Sequence, residues 1–217
     1  MNPAALLFGA CLLFPTAAAA QDPAPPLPAI DERIAPFVVD ARITLPQFKS
    51  SAGVAESIGV TESDLPGRGL GLVVGANVYP VRVRSFALGI GGEWMLRSRG
   101  SNTIEDGPDG PTIVTRMTSI SPQVSLNFGR RNGYSYLTGG YGFGSLTTEL
   151  EEDPVADAET NPKIMNYGGG ARWFVRKHLA LALDLRFYKV GAQEAGVERP
   201  AYPASTSMVF SAGISTR

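Results

Sequence analysis

From Phe37 onward the chain alternates apolar and polar residues with a period of two, and it does so eight times. That period sends successive side chains to opposite faces of an extended strand, so each run predicts a strand whose two faces meet different surroundings. In 37–45, Phe37, Val39, Ala41, Ile43 and Leu45 share one face, opposite Asp40, Arg42 and Thr44. In 70–79, Leu70, Leu72, Val74, Ala76 and Val78 oppose Gly71, Gly75 and Asn77. In 86–97, Phe86, Leu88, Ile90, Trp94 and Leu96 oppose Gly89, Gly91, Glu93 and Arg97, and in 120–128, Ile120, Pro122, Val124, Leu126 and Phe128 oppose Ser121, Gln123, Ser125 and Asn127.

The second half repeats the pattern. Leu137, Tyr141 and Phe143 oppose Thr138 and three glycines; Met165, Tyr167, Ala171 and Trp173 oppose Asn166, Gly168, Gly170 and Arg172. The clearest run, LALALDLRFY at 179–188, sets Leu179, Leu181, Leu183, Leu185 and Phe187 against Ala180, Ala182, Asp184, Arg186 and Tyr188. Met208, Phe210, Ala212 and Ile214 against Ser207, Ser211, Gly213 and Ser215 make the eighth strand.

The links alternate too. PVRVRS, GRRNG and VRKH are short, whereas the links after the first, third, fifth and seventh strands are long and polar. Short turns at one end and long loops at the other predict an all-β, eight-stranded antiparallel up-and-down barrel over 37–217. An even strand count places both ends of that barrel beside the short turns.

Ahead of it, QDPAPPLPAIDERIAP at 21–36 carries five prolines and reads as an extended arm. Residues 1–20 read as a cleavable signal peptide: an apolar run closes on Ala18-Ala19-Ala20 before Gln21. Cys11 does not suit a lipoprotein start, because Leu12, Leu13 and Phe14 continue the apolar run past it. No later stretch is long and apolar enough for a transmembrane helix. An exported chain of this kind that enters a membrane does so with strands, its short turns in the periplasm and its long loops outside.

Alternation alone does not say which face looks inward, since a soluble lipocalin-like barrel has the same period. Three features favour apolar-out. The polar face is built largely of Gly, Ser, Ala, Thr and Asn, which suit the cramped lumen of eight strands, and the chain has four lysines against fifteen arginines. The apolar-face aromatics fall into two bands, Phe37, Phe86, Phe128 and Trp173 by the short turns and Trp94, Phe143, Tyr167 and Phe187 nearer the long loops, as expected of interfacial girdles. Finally, the short turns hold Arg82, Arg84, Arg130, Arg131, Arg176 and Lys177, while the loop at 149–159 is acidic.

On these features, and on the stretches YSYLTGGYGFG and NYGGGARWFVRKHLALALDLRFY, residues 37–217 resemble the small eight-stranded outer-membrane barrels of the OmpA, OmpX and opacity-protein type. The resemblance implies an outer-membrane location, contact with outer-membrane lipid and lipopolysaccharide, and insertion by the barrel assembly machinery. Such proteins end in an aromatic residue that this machinery reads; here the last residues are Ile214-Ser215-Thr216-Arg217. The likeness lies in pattern and specifies fold better than function.

Composition narrows the chemistry. A formal net charge of −1 offers no basic field for nucleic acid. The predicted lumenal charges are Asp40, Arg42, Glu93, Arg97, Arg172, Asp184 and Arg186. Charges inside a low-dielectric wall must pair or be hydrated, so they read as a salt-bridged plug, with a narrow arginine-lined ion path as the alternative. A lipid A-modifying enzyme would need a nucleophile and base at the outer leaflet, but the single histidine, His178, falls in a short turn. The acidic 149–159 loop lacks calcium-loop ligand order, and no cofactor or metal is expected. The expectation is a non-enzymatic barrel with a structural or surface-interaction role through its loops, whose partner no motif names.

Overall fold

The computed structural model describes residues 32–104, 110–152, 162–193 and 203–217. The signal peptide, most of the arm, and Asp153, Asp157 and Glu159 of the acidic loop lie outside the described residues. Eight strands follow in chain order: β1 (Phe37–Gln47), β2 (Leu70–Val83), β3 (Phe86–Thr103), β4 (Thr112–Arg130), β5 (Gly133–Leu150), β6 (Lys163–Phe174), β7 (Leu179–Val190) and β8 (Ser205–Thr216). Each pairs antiparallel with its sequence neighbour, and β1 closes on β8, for example Ala41 opposite Ile214. The result is a closed up-and-down barrel.

The apolar face is the outer one. Phe37, Val39, Ile43 and Leu45 of β1 are exposed while Val38, Asp40, Arg42 and Thr44 are buried, and β7 alternates likewise. Side chains such as Ile43, Ile90, Ile120, Val124, Leu137, Leu181 and Leu183 keep about half their surface exposed around the whole wall. A water-soluble monomer rarely exposes apolar patches beyond a few hundred Å², so this wall is built for lipid and the soluble-barrel alternative falls. All eight predicted girdle aromatics point outward; Phe86 lies 5.7 Å from Phe128 by the turns, and Tyr167 stacks on Phe187 at 5.6 Å nearer the loops. Phe86 and Trp94 are eight residues apart on β3, which at a strand tilt of ~40° separates the bands by about 20 Å, close to the apolar height of an outer-membrane barrel.

Two single-residue bulges interrupt the ladder. One in β2 falls at Tyr79-Pro80, where proline has no N–H to donate. The other, in β3 between Met95 and Ser98, inserts one residue relative to β2 and β4. Beyond it the faces of β3 exchange, and Arg97 is exposed on the outside. The expectation of Arg97 in the lumen is therefore corrected: a period-two count cannot register one inserted residue.

At the loop end β3, β4 and β5 run past the aromatic band as a three-stranded extension. Between β1 and β2 the chain forms a short helix, α1 (Ala52–Ser57), and a 3-10 turn at Glu62–Asp64. Ala55 and Leu65 of this segment pack with Ile58, Val60 and Ile113, so the first long loop folds against the extension. The Asp64 carboxylate accepts from the Thr61 hydroxyl (2.7 Å) and backbone N–H (2.9 Å), which holds its pKa below the ordinary 3.8. At the turn end, residues 32–36, read from sequence as arm, do pack. Ile34 is 1% exposed among Val38, Tyr79, Ala87 and Tyr134.

Candidate functional site

The inward face of a small barrel is a narrow column, and three strata fill it. Nearest the short turns lie Ile34, Val38, Tyr79, Tyr134 and Tyr136, with the Tyr79 and Tyr134 hydroxyls 3.1 Å apart. Nearest the loops lie Phe48, Val73, Met95, Met117, Ile164, Tyr188 and Val209. Between these apolar layers sits a belt of charge. Of these two inward layers the sequence pattern marks only Tyr188, on the face shared with Asp184 and Arg186.

Strict alternation brings the belt together. Asp40 and Arg42 are two apart on β1, Asp184 and Arg186 two apart on β7, and Glu93 and Arg172 come from β3 and β6. Arg42 is the hub: Nη1 lies 2.9 Å from Asp184 Oδ2, Nη2 donates to Glu93 Oε2, and Nε is 2.8 Å from Asp40 Oδ1, a charge contact off the hydrogen-bond line. Arg172 Nη2 donates to Asp40 Oδ2 at 2.8 Å, and its Nε to Ser215 Oγ at 3.1 Å. Arg186 reaches Asp184 Oδ1 at 2.9 Å and Glu93 Oε2 at 2.8 Å. None of the six side chains is more than 5% exposed. Three carboxylates meet three guanidiniums, so the belt is formally neutral. Of the seven residues expected here, Arg97 alone is absent.

Several partners were missed by sequence reasoning. The Tyr136 hydroxyl donates to Asp184 Oδ2 at 2.6 Å, the Tyr188 hydroxyl to Glu93 Oε1 at 2.5 Å, and the Arg172 guanidinium lies 4.2 Å from the Tyr136 ring centre. A Cβ on Gly170 would come within 2.6 Å of the Tyr136 hydroxyl, so that ring fits only beside glycine. Gln123 donates to Ser121 (2.8 Å) and Asn166 (2.9 Å), and its Oε1 accepts from Thr138 and Arg186. Their inward parity was the available signal; which of them touch depends on the barrel's stagger.

This arrangement can neutralise and brace. Each guanidinium is held by at least one carboxylate, the second atom of each carboxylate is met by a tyrosine or another arginine, and apolar layers cap both sides. Among the described residues no group of His, Cys, Asp and Glu is placed to hold a metal. His178 lies at the turn end, its Nδ1 2.9 Å from the Arg217 carbonyl, away from the loop end where a lipid-modifying base was considered.

No family model matches the chain, and no curated protein sequence does either. Among solved structures it is similar to Neisserial surface protein A, at 16% identity and a TM-score of 0.52 over 84% of this chain and 97% of that one. It also aligns with the outer membrane protein OprG of Pseudomonas aeruginosa (9% identity, TM-score 0.49, 85% and 96% covered). A third match is the attachment invasion locus protein Ail of Yersinia pestis, solved with a heparin analogue (11%, 0.44, 83% and 95%). At 16% identity the likeness to Neisserial surface protein A is one of fold, a closed barrel of the outer-membrane type.

Proposed function

We propose that the protein is exported to the outer membrane and acts there without catalysis, its barrel serving as a rigid post that presents the long loops in a structural or surface-interaction role. The observation that carries this reading is the filled lumen. A neutral belt of six interlocked charges between two apolar layers, with Ile34 packed at the turn end and Phe48, Met95 and Met117 at the loop end, resists ion passage and braces the wall from within. The elaboration lies at the loop end, where β3–β5 extend beyond the aromatic band, and surface function in barrels is carried by loops on a rigid scaffold.

The test is reconstitution of refolded protein into planar bilayers, together with fractionation and heat-modifiable gel migration. Absence of steady single-channel currents, outer-membrane fractionation and a heat-sensitive compact band are expected. Discrete, voltage-stable conductance would overturn the post reading in favour of a narrow pore. Incubation with lipopolysaccharide and mass spectrometry of released fatty acid tests the enzymatic alternative, and no release is expected.

A further inference from the structure

The outer wall carries cations that the lumenal belt does not use. Lys163 opens β6 opposite Phe143, and Lys189 on β7 faces Met165. The Gly191 N–H donates to the Lys163 carbonyl at 3.0 Å, which fixes the two lysines as diagonal neighbours on one face, about 7–8 Å apart at their backbones. Both side chains are exposed on the lipid side, and neither forms an ion pair with a described residue. Directly below them, toward the midplane, come Met165 and then the Tyr167–Phe187 stack.

A groove of about 530 Å³ continues downward from Met165. It runs between Tyr141, Tyr167 and Val124 over the floor left by Gly139 and Pro122. The order from loop end to midplane is therefore paired cations, an aromatic shelf and an apolar trough. A glycerol- or sugar-based amphiphile has the same order: anionic head, polar backbone, acyl chain.

We infer that Lys163 and Lys189 hold a phosphate of an outer-leaflet phosphorylated glycolipid of the lipid A class, with one acyl chain in the Gly139 groove. Two ammonium groups at this spacing can both donate to one phosphate, and a leaflet whose lipids carry phosphates on a sugar supplies that group at the right height. The inference rests on the outer-membrane reading above and names the lipid and the residues that would meet it.

The experiment uses the full mature chain in nanodiscs of phosphatidylcholine doped with diphosphoryl lipid A, dephosphorylated lipid A or phosphatidylglycerol, with bound lipid read by native mass spectrometry. Retention of diphosphoryl lipid A is expected, unaffected by millimolar inorganic phosphate and reduced about tenfold or more by removing its phosphates or by the double substitution Lys163→Gln, Lys189→Gln. Gly139→Leu fills the trough without disturbing the wall, since a Cβ there meets nothing nearer than the Asn166 carbonyl at 3.8 Å, and it is expected to weaken retention while both lysines remain. Equal retention by the double variant, preference for phosphatidylglycerol or displacement by inorganic phosphate overturns the assignment. Heat-modifiable migration is read on every sample. A wild-type chain that does not insert refutes the outer-membrane reading itself, and an inserted one without lipid A refutes only this site.

Discussion

Replacing Arg42 with methionine tests whether the lumenal belt stabilises the barrel as a charge-balanced unit. The guanidinium touches all three belt carboxylates, Asp40, Glu93 and Asp184, and its side chain is 2% exposed. Without it Asp40 retains Arg172, and Asp184 and Glu93 retain Arg186, so no carboxylate is orphaned. The belt nevertheless goes from neutral to a net charge of −1 inside a low-dielectric wall. Removing one partner of a buried ion pair costs about 3–5 kcal/mol, and the surviving contacts place Arg42→Met near 3. Adding Glu93→Gln restores neutrality while keeping an acceptor for the Tyr188 hydroxyl, so the double variant should be more stable than Arg42→Met alone by on the order of 1–3 kcal/mol. Urea unfolding in lipid vesicles, followed by Trp94 and Trp173 fluorescence and by gel migration, gives the midpoints for this cycle. If Arg42→Met shifts stability by less than about 1 kcal/mol, or if the two substitutions simply add, the belt is not acting as a balanced unit.

Arg97→Gln, by contrast, should leave stability within about 0.5 kcal/mol in the same assay, because the side chain lies on the outer face; a loss comparable to that of Arg42→Met would return Arg97 to the lumen. Ile34→Ala removes a side chain packed against Tyr79 and Tyr134 and should cost about 2–5 kcal/mol, whereas an arm with no packing role would show no change. Asp64 gives a pH signature: a carboxyl depressed in the fold contributes stability that is fully present above 3.8 and is lost as pH falls through its lower folded value. Its carbon resonance should therefore titrate with a midpoint below 3.8, and a midpoint at or above 3.8 would remove the Thr61 hydrogen bonds from solution.

Strand number, order and the outward face were all legible because lipid outside and a packed column inside give the two faces unlike residues, as in Leu181 beside Ala182 or Phe187 beside Arg186. The signal fades where that contrast fades. The loop-end halves of β3, β4 and β5 mix Ser98, Ser101, Thr103, Thr112, Thr115, Thr118, Thr147 and Thr148 with buried Ile113, Val114 and Met117, so polar residues fall on both faces, the period-two contrast is lost, and the sequence reading stops short of the loop ends of those strands. The helix at Ala52–Ser57 is a single short turn segment with no amphipathic period to detect.

The candidate site divides along the same physical line. Six of the seven charges could be placed in the lumen because parity survives over an unbroken strand, and pairs such as Asp40 with Arg42 must then lie on one face. Arg97 lies past the bulge after Met95, where parity is reset by an insertion that leaves no mark in the residue types. Which charges touch is a different kind of information. Arg42 reaches Asp184 from β1 to β7, two strands apart around the wall, and Tyr188 reaches Glu93 from β7 to β3; both depend on how far each strand is staggered on its neighbour. Stagger is set by the sum of eight registers and two bulges, so a residue-by-residue reading can populate the lumen but cannot assemble its network. Tyr136 follows from the same cause: its ring stands over Arg172 only because β5 and β6 pair Tyr136 with Gly170, and that glycine is the space that the aromatic partner requires.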